Sequence, residues 1–219
     1  MKDQSPLIYL VDDDDAVRDS LGMLFKSIGL KHEAHASALD FLQHYDSSRL
    51  SCLVADIRMP GLSGLELQQR LNEQQAEIPI IFITGHADVP MAVTAMKSGA
   101  ADFIQKPFRD QDLIDRINKA LERDRERRKT RAEQDVIRAR IALLTPRESE
   151  VMHRVVRGQA NKVIAMDLGV SQRTVELHRA RVMRKLKMRS LAELVHAIDR
   201  IGGVASGDSA QPTGTAASK

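Results

Sequence analysis

The sequence predicts an α/β domain built on a five-stranded, parallel, doubly wound sheet, followed by an all-α domain of four helices. Three observations carry that prediction. Over the first 120 residues, short apolar runs alternate with helical patterns. Polar and acidic groups recur where those runs end. The charge also changes sign along the chain: residues 1–121 hold 12 Lys and Arg against 18 Asp and Glu, whereas residues 141–200 hold 12 against 6, within an overall +3. An acidic first half joined to a basic second half suggests two domains, the second with a polyanionic partner.

Taken in order, Leu7–Val11 is an apolar run that ends at Asp12 and Asp13. Val17, Leu21, Leu24, Phe25 and Ile28 follow at spacings of three or four, a helical pattern that Gly29 stops. A weak strand near Lys31–Ala34 precedes a helix starting at Ser37. Cys52–Ile57 reads as a buried strand that Pro60-Gly61 closes off, and Leu65, Leu67 and Leu71 mark the next helix. Ile78–Ile83 is a strong β-branched strand ending on Thr84-Gly85. A short helix with Met91, Val93 and Met96 stops at Gly99. A short strand at Asp102–Gln105 leads into Lys106-Pro107, and Leu113, Ile114, Ile117 and Leu121 form the last helix of residues 1–121. Strands that are apolar throughout imply a parallel sheet covered on both faces.

The bulk features exclude several classes. No apolar stretch approaches the roughly 20 residues needed to span a bilayer, and Leu7–Val11 is too short, and too soon followed by acids, to be a signal peptide core. A cytoplasmic location is expected. Cys52 is the single cysteine, so no intrachain disulfide forms, and its apolar neighbours predict a buried thiol. The seven histidines show no metal-binding spacing, and His32 and His35 are expected at the surface.

In an open parallel sheet the binding site lies beyond the carboxyl ends of the strands. Asp12, Asp13, Asp56, Thr84 and Lys106 all fall there. Three carboxylates at one edge repel unless a cation joins them, and an all-oxygen donor set suits Mg2+. Flanked by a metal and the Lys106 ammonium, Asp56 can attack a phosphoryl group, with the developing charge met by the metal, Lys106 and the Thr84 hydroxyl. Asp14 and Asp15 read as helix-capping acids.

These residues sit within VDDD (11–14), VADIRMPGLSG (54–64), ITG (83–85) and DFIQKPF (102–108), and with them residues 1–121 resemble the receiver domain of two-component signalling. The resemblance implies a flavodoxin-like fold with Asp56 as phospho-acceptor. It implies Mg2+ held by Asp12, Asp13, Asp56 and the backbone carbonyl of Arg58. Thr84 is then the switch hydroxyl, Phe103 the switch aromatic and Lys106 the phosphate-binding lysine, with a cis bond at Lys106-Pro107. A sensor histidine kinase is the implied phosphoryl donor.

Residues 122–140 are rich in Arg and Glu, with almost no large apolar side chain before Val136. They read as a charged, helical, solvated linker with no face to bury; the lack of apolar a/d repeats disfavours a coiled coil.

Residues 141–201 open with Thr145-Pro146-Arg147-Glu148, a capping box with Pro at the first helical position. A second helix starts at Asn161, Gly169 makes a turn, and Ser171 caps a third helix running to about Lys187. Ala165, Gly169 and Val175 have helix-turn-helix spacing: a small residue for close approach, Gly for the turn, a branched apolar residue to lock the second helix. Ser190 and Glu193 cap a fourth helix. On the third helix, Val175, Val182 and Leu186 share a core stripe. Gln172, Arg173, Thr174, Glu176, Leu177, Ala180, Arg181 and Arg184 lie towards the outer side, a surface suited to the major groove of promoter DNA. Asn161, Lys162, Ser171, Arg179 and Lys185 are candidates for phosphate contacts.

This half resembles the LuxR-type output domain through LTPRESEVM (144–152), NKVIAMDLGVSQRTVELHRARVMRKLK (161–187) and SLAELV. The whole chain therefore resembles a FixJ/NarL-type response regulator, nearer to FixJ in TVELHRARVM. Glu176 departs from the basic residue often found there in the NarL branch. The family implies a transcription activator rather than an enzyme, homodimerisation on phosphorylation with the fourth helix pairing DNA-bound domains, and RNA polymerase as a partner. Two rivals can be weighed on the same residues. A metal-dependent phosphatase would need a second acid two residues beyond Asp56, where Arg58 stands. A phosphorylation-independent nucleic-acid scaffold would not need all five pocket residues. Residues 202–219, rich in Gly, Ala, Ser and Thr, are expected to be disordered.

Overall fold

The computed structural model describes residues 5–85 and 89–202. The chain divides into two compact units, Met1–Arg128 and Lys129–Lys219. In the first, five strands, β1 (Leu7–Val11), β2 (Lys31–His35), β3 (Ser51–Asp56), β4 (Ile80–Thr84) and β5 (Asp102–Gln105), form one sheet in the order β2-β1-β3-β4-β5. Every pairing is parallel.

The alternation of strand side chains explains why the central strands are apolar throughout. Leu7, Tyr9, Leu53, Ala55, Ile80 and Phe82 pack to one side, with Phe41 of α2 (Ala38–His44), Leu67 and Leu71 of α3 (Gly64–Glu73) and Ala95 of α4 (Val89–Lys97). Ile8, Leu10, Cys52, Val54, Ile81 and Ile83 face the other side. There they meet Leu21 and Phe25 of α1 (Asp15–Ser27) and Leu113, Ile117 and Leu121 of α5 (Asp110–Ile141). A strand buried on both faces has no polar period to display. The edge strand β2 is mostly exposed, which is why its sequence signal is weak. Cys52 has no exposed surface, and burial pushes its thiol pKa up.

One expectation is corrected. His35 is not a surface residue: it is 6% exposed, closing β2 against Tyr9 and Phe41, while His32 is half-buried with its ring against Phe25. A polar side chain on a strand that pairs on one edge only is easily read as solvated. The charged segment 122–140 is helical and mostly exposed, with Asp124 its one buried side chain. It continues α5 as one helix of 32 residues. Its first turns belong to the sheet domain: Asp124 is buried and takes both Arg127 and, at 2.7 Å, Arg128. Those two arginines also donate to the carbonyls of Glu77 and Ser48. The later turns hold the second unit through Gln134 to the Arg200 carbonyl (2.6 Å) and Arg140 to the Leu186 carbonyl (3.0 Å).

The second unit adds α6 (Pro146–Val156), α7 (Asn161–Leu168), α8 (Gln172–Leu186) and α9 (Leu191–Arg200). Val151, Val155, Ile164, Ala165, Val175, Val182, Leu186, Leu194 and Ile198 form its core. The capping box at Thr145 and Glu148 is formed, and Gly169 ends α7 in the left-handed region at φ 63°, where a side chain would be strained. Of the tail expected to be disordered, all but Gly202 lies outside the described residues.

Candidate functional site

The carboxyl ends of β1, β3, β4 and β5 deliver the pocket. Parallel pairing sets Val11 beside Ala55 and Asp56 beside Ile83, so Asp12, Asp56 and Thr84 leave neighbouring strands at one rim. Carboxylate oxygens of Asp12, Asp13 and Asp56 lie within 4.8 Å of one another. Asp12 is almost fully buried, Asp13 is exposed and Asp56 lies between. Lys106 reaches across from the end of β5, its ammonium 2.9 Å from Asp12 Oδ2 and 3.5 Å from Asp56 Oδ2. The Lys106 amide donates to the Thr84 carbonyl at 2.8 Å, after which the Lys106-Pro107 bond is cis.

Electrostatics divides the labour. Burial raises the Asp56 pKa, against which the Lys106 charge and the amide of Arg58 pull it down, while Asp12 pushes it up again. Asp12 is pinned instead: its Oδ1 accepts the amide of Asp14 at 3.0 Å, and its carbonyl accepts Arg18 at 2.5 Å. Asp14 caps α1 as expected of it, accepting from Ala16 at 2.8 Å. An oxygen-only donor set with surplus negative charge fits a hard divalent cation better than a soft one. Thr84 is buried at the rim, Arg58 is exposed, and Phe103 is half-buried against the core face beside Phe82.

One functional position carries no role in the sequence reading. A Cβ on Gly64 would stand 2.3 Å from the carbonyl oxygen of Asp56 and 3.0 Å from the Phe82 ring, and the Gly64 amide donates to the Ile57 carbonyl at 2.9 Å. Helix α3 therefore begins in contact with the end of β3 that carries Asp56. The signal available was a glycine straight after a Ser63 cap, where alanine is the better helix former.

In the second unit, Ser171 caps α8, accepting from the Thr174 amide at 3.1 Å. Lys162, Ser171, Gln172, Arg173, Glu176, Leu177, Ala180, Arg181 and Arg184 are exposed, and Thr174 is half-buried. Three of the residues read as phosphate contacts are otherwise engaged. Arg179 donates to Asn161 Oδ1 at 2.6 Å. Lys185 donates to Glu148 at 2.6 Å and to the Leu143 carbonyl at 3.0 Å. The buried Glu148 carboxyl is held down to about 2, first by Lys185 and then by the Thr145 amide.

Comparison with known proteins agrees with both halves. Residues 8–118 match the family described as response regulator receiver domain, and residues 142–198 match bacterial regulatory proteins of the luxR family. Nodulation protein W of Bradyrhizobium diazoefficiens is 46% identical over 196 residues, covering 90% of this chain and 86% of that protein. Transcriptional regulatory protein FixJ of Azorhizobium caulinodans is 48% identical over 206 residues, covering 94% and 97%. Among solved structures, the response regulator StyR aligns with a TM-score of 0.80 at 45% identity, over 90% of this chain and 99% of that one. Full-length FixJ from B. japonicum aligns at 0.55 with 44% identity, over 90% and 97%. Among the described residues no helix is long and apolar enough to cross a membrane. A receiver domain that presents an acidic pocket, joined to a LuxR-type helix-turn-helix, makes this chain a transcriptional regulator, and it belongs to the FixJ/NarL family of two-component response regulators.

Proposed function

We propose that Asp56 accepts a phosphoryl group from a sensor histidine kinase, and that the phosphorylated chain dimerises and activates transcription. The observation that carries this reading is a half-buried carboxylate at the end of β3 with an ammonium 3.5 Å away and two further carboxylates beside it. An Asp56 oxygen attacks phosphorus, the bond from phosphorus to the kinase histidine nitrogen breaks, and an acyl phosphate forms while the histidine regains a proton. Asp12, Asp13, Asp56 and the Arg58 carbonyl would hold Mg2+, which, when bound, neutralises charge on the transferring oxygens. Lys106 meets a second phosphoryl oxygen, and the Thr84 hydroxyl a third. Lys106 starts from an ion pair with Asp12, so phosphate competes for a cation already in place.

Movement of Thr84 towards the phosphoryl group leaves room for Phe103 to turn further inward, altering the surface of α4 and β5. Val93 and Met96 of α4 are 43% and 46% exposed, apolar side chains that pairing of two copies would cover. Dimerisation presents two α8 helices to paired half-sites, with Arg173, Arg181 and Arg184 free to reach bases or phosphates, and Leu177 and Ala180 able to meet thymine methyls. The fourth helix, α9, supplies pairing between bound output domains. RNA polymerase is the partner an activator bound there recruits.

Incubation with acetyl phosphate or a phosphorylated kinase and Mg2+ should yield one acid-stable, hydroxylamine-labile phosphate per chain, and footprints on promoter DNA that strengthen with it. Asp56→Asn should abolish both. Undiminished phosphate on Asp56→Asn would overturn the acceptor, and footprints indifferent to phosphate would overturn the coupling.

A further inference from the structure

The corner between β2 and α2 gathers a second set of ligating side chains. His35 ends β2, while Asp40 and His44 stand one turn apart on α2, an i,i+4 spacing that sets two side chains on one helix face. His35 Nδ1 is 2.8 Å from Asp40 Oδ2, and His44 Nδ1 is 3.2 Å from Asp40 Oδ1. One ligand atom from each of the three residues falls within 4.8 Å of the others. The two imidazoles stack, with centroids 5.5 Å apart and planes 28° from parallel.

The environment separates this group from an ordinary helix cap. Ser37 already caps α2, accepting the Asp40 amide at 3.2 Å. The His35 side chain is only 7% exposed and lies among the rings of Tyr9 and Phe41. Its Nε2 is buried without a partner, so its working edge is the Nδ1 edge that meets Asp40. On the outer side, Asp40 and His44 are 45% and 58% exposed, leaving an open face for solvent ligands.

We infer that His35, Asp40 and His44 form a site for a divalent transition metal of the zinc class, with water completing the coordination. Two imidazole nitrogens and one carboxylate oxygen are borderline ligands, suited to Zn2+ and its neighbours rather than to Mg2+. The set therefore differs in chemistry from the all-carboxylate pocket, even though the His35 carbonyl accepts the Asp12 amide at 3.3 Å. His44 Nδ1 also lies 2.8 Å from the Asp40 carbonyl, a bond it would exchange for the metal.

The test uses the untagged full-length chain titrated with Zn2+ in an excess of Mg2+, which occupies the acidic pocket. One zinc ion per chain should bind, and Asp12→Asn/Asp56→Asn should bind it equally well. His44→Ala alters an exposed side chain and should keep the circular dichroism of the parent. It should weaken zinc binding at least roughly tenfold, the loss typical of removing even a group behind a ligand. Asp40→Asn should do the same. Loaded with Cu2+ instead, the chain should show electron-paramagnetic couplings from two imidazole nitrogens, reduced to one in His44→Ala. No zinc uptake, uptake that Mg2+ or Asp12→Asn/Asp56→Asn removes, or uptake unchanged in His44→Ala would each overturn the site. None of these outcomes bears on Asp56 phosphorylation, which is read separately.

Discussion

At Gly64 the end of β3 leaves no room for a side chain. A methyl group there meets backbone, the Asp56 carbonyl, rather than the far end of a side chain that could swing away. Gly64→Ala should therefore lower stability by about 1–3 kcal/mol, seen as a lower denaturant midpoint at unchanged slope, and slow phosphate uptake because the displaced atoms carry Asp56. Lys185 shows the opposite case, a residue whose type suggests DNA and whose contacts suggest structure. Its partner Glu148 has a folded pKa near 2, below the ordinary value of 4.5. A depressed carboxylate contributes stability that is fully present above the unfolded value and is lost as pH falls through the folded one. Thermal melts should thus lose stability between pH 4.5 and about 2, and Glu148→Gln should flatten that part of the profile. Lys185→Ala should cost about 2 kcal/mol near neutral pH, the scale of a charged hydrogen bond. Nothing in residue type alone separates Lys185 from exposed Arg184; only the packing of α6 on α8 does so.

Helix α5 shows why element boundaries are harder to read than elements. The central strands β1, β3 and β4 were legible because double burial leaves them almost uniformly apolar, and the capped helices because Thr145, Ser171 and Ser190 announce themselves. The carboxylates and lysine of the pocket were legible for a related reason: topology, not local propensity, brings strand ends together. At residue 121 the periodic apolar side chains stop while the helix does not. Asp124 replaces them with a buried charge held by two arginines, a packing device that leaves no hydrophobic trace. Asp124→Ala should strip the acceptor from Arg127 and Arg128, both partly exposed, and destabilise the receiver unit by about 1–3 kcal/mol. Hydrogen exchange should then report loss of protection in α5 around residues 121–128, with Leu113 and Ile117 still protected. Equal protection in both proteins would show that the arginine clamp holds nothing.

At the scale of the whole chain, an acidic receiver and a basic output domain divide the electrostatic work. Affinity for DNA should fall linearly with the logarithm of salt concentration, each phosphate contact adding about −0.9 to the slope. Arg184→Ala should reduce that slope by about 1 per contacted phosphate, whereas Lys185→Ala should leave it nearly unchanged. A matching loss in both would mean that Lys185 leaves Glu148 when DNA binds. His35 was the least legible residue: an edge strand with exposed neighbours gives no sign that its last side chain turns into an aromatic nest. Cys52 has a consequence of another kind. It is the one thiol in the chain, and it sits at the centre of the sheet with no surface. A thiol reagent can reach it only while the receiver is open, so labelling proceeds at the pace of openings rather than of reagent. The protein thereby carries its own clock, and a phosphoryl group that favours the closed domain would make it tick more slowly.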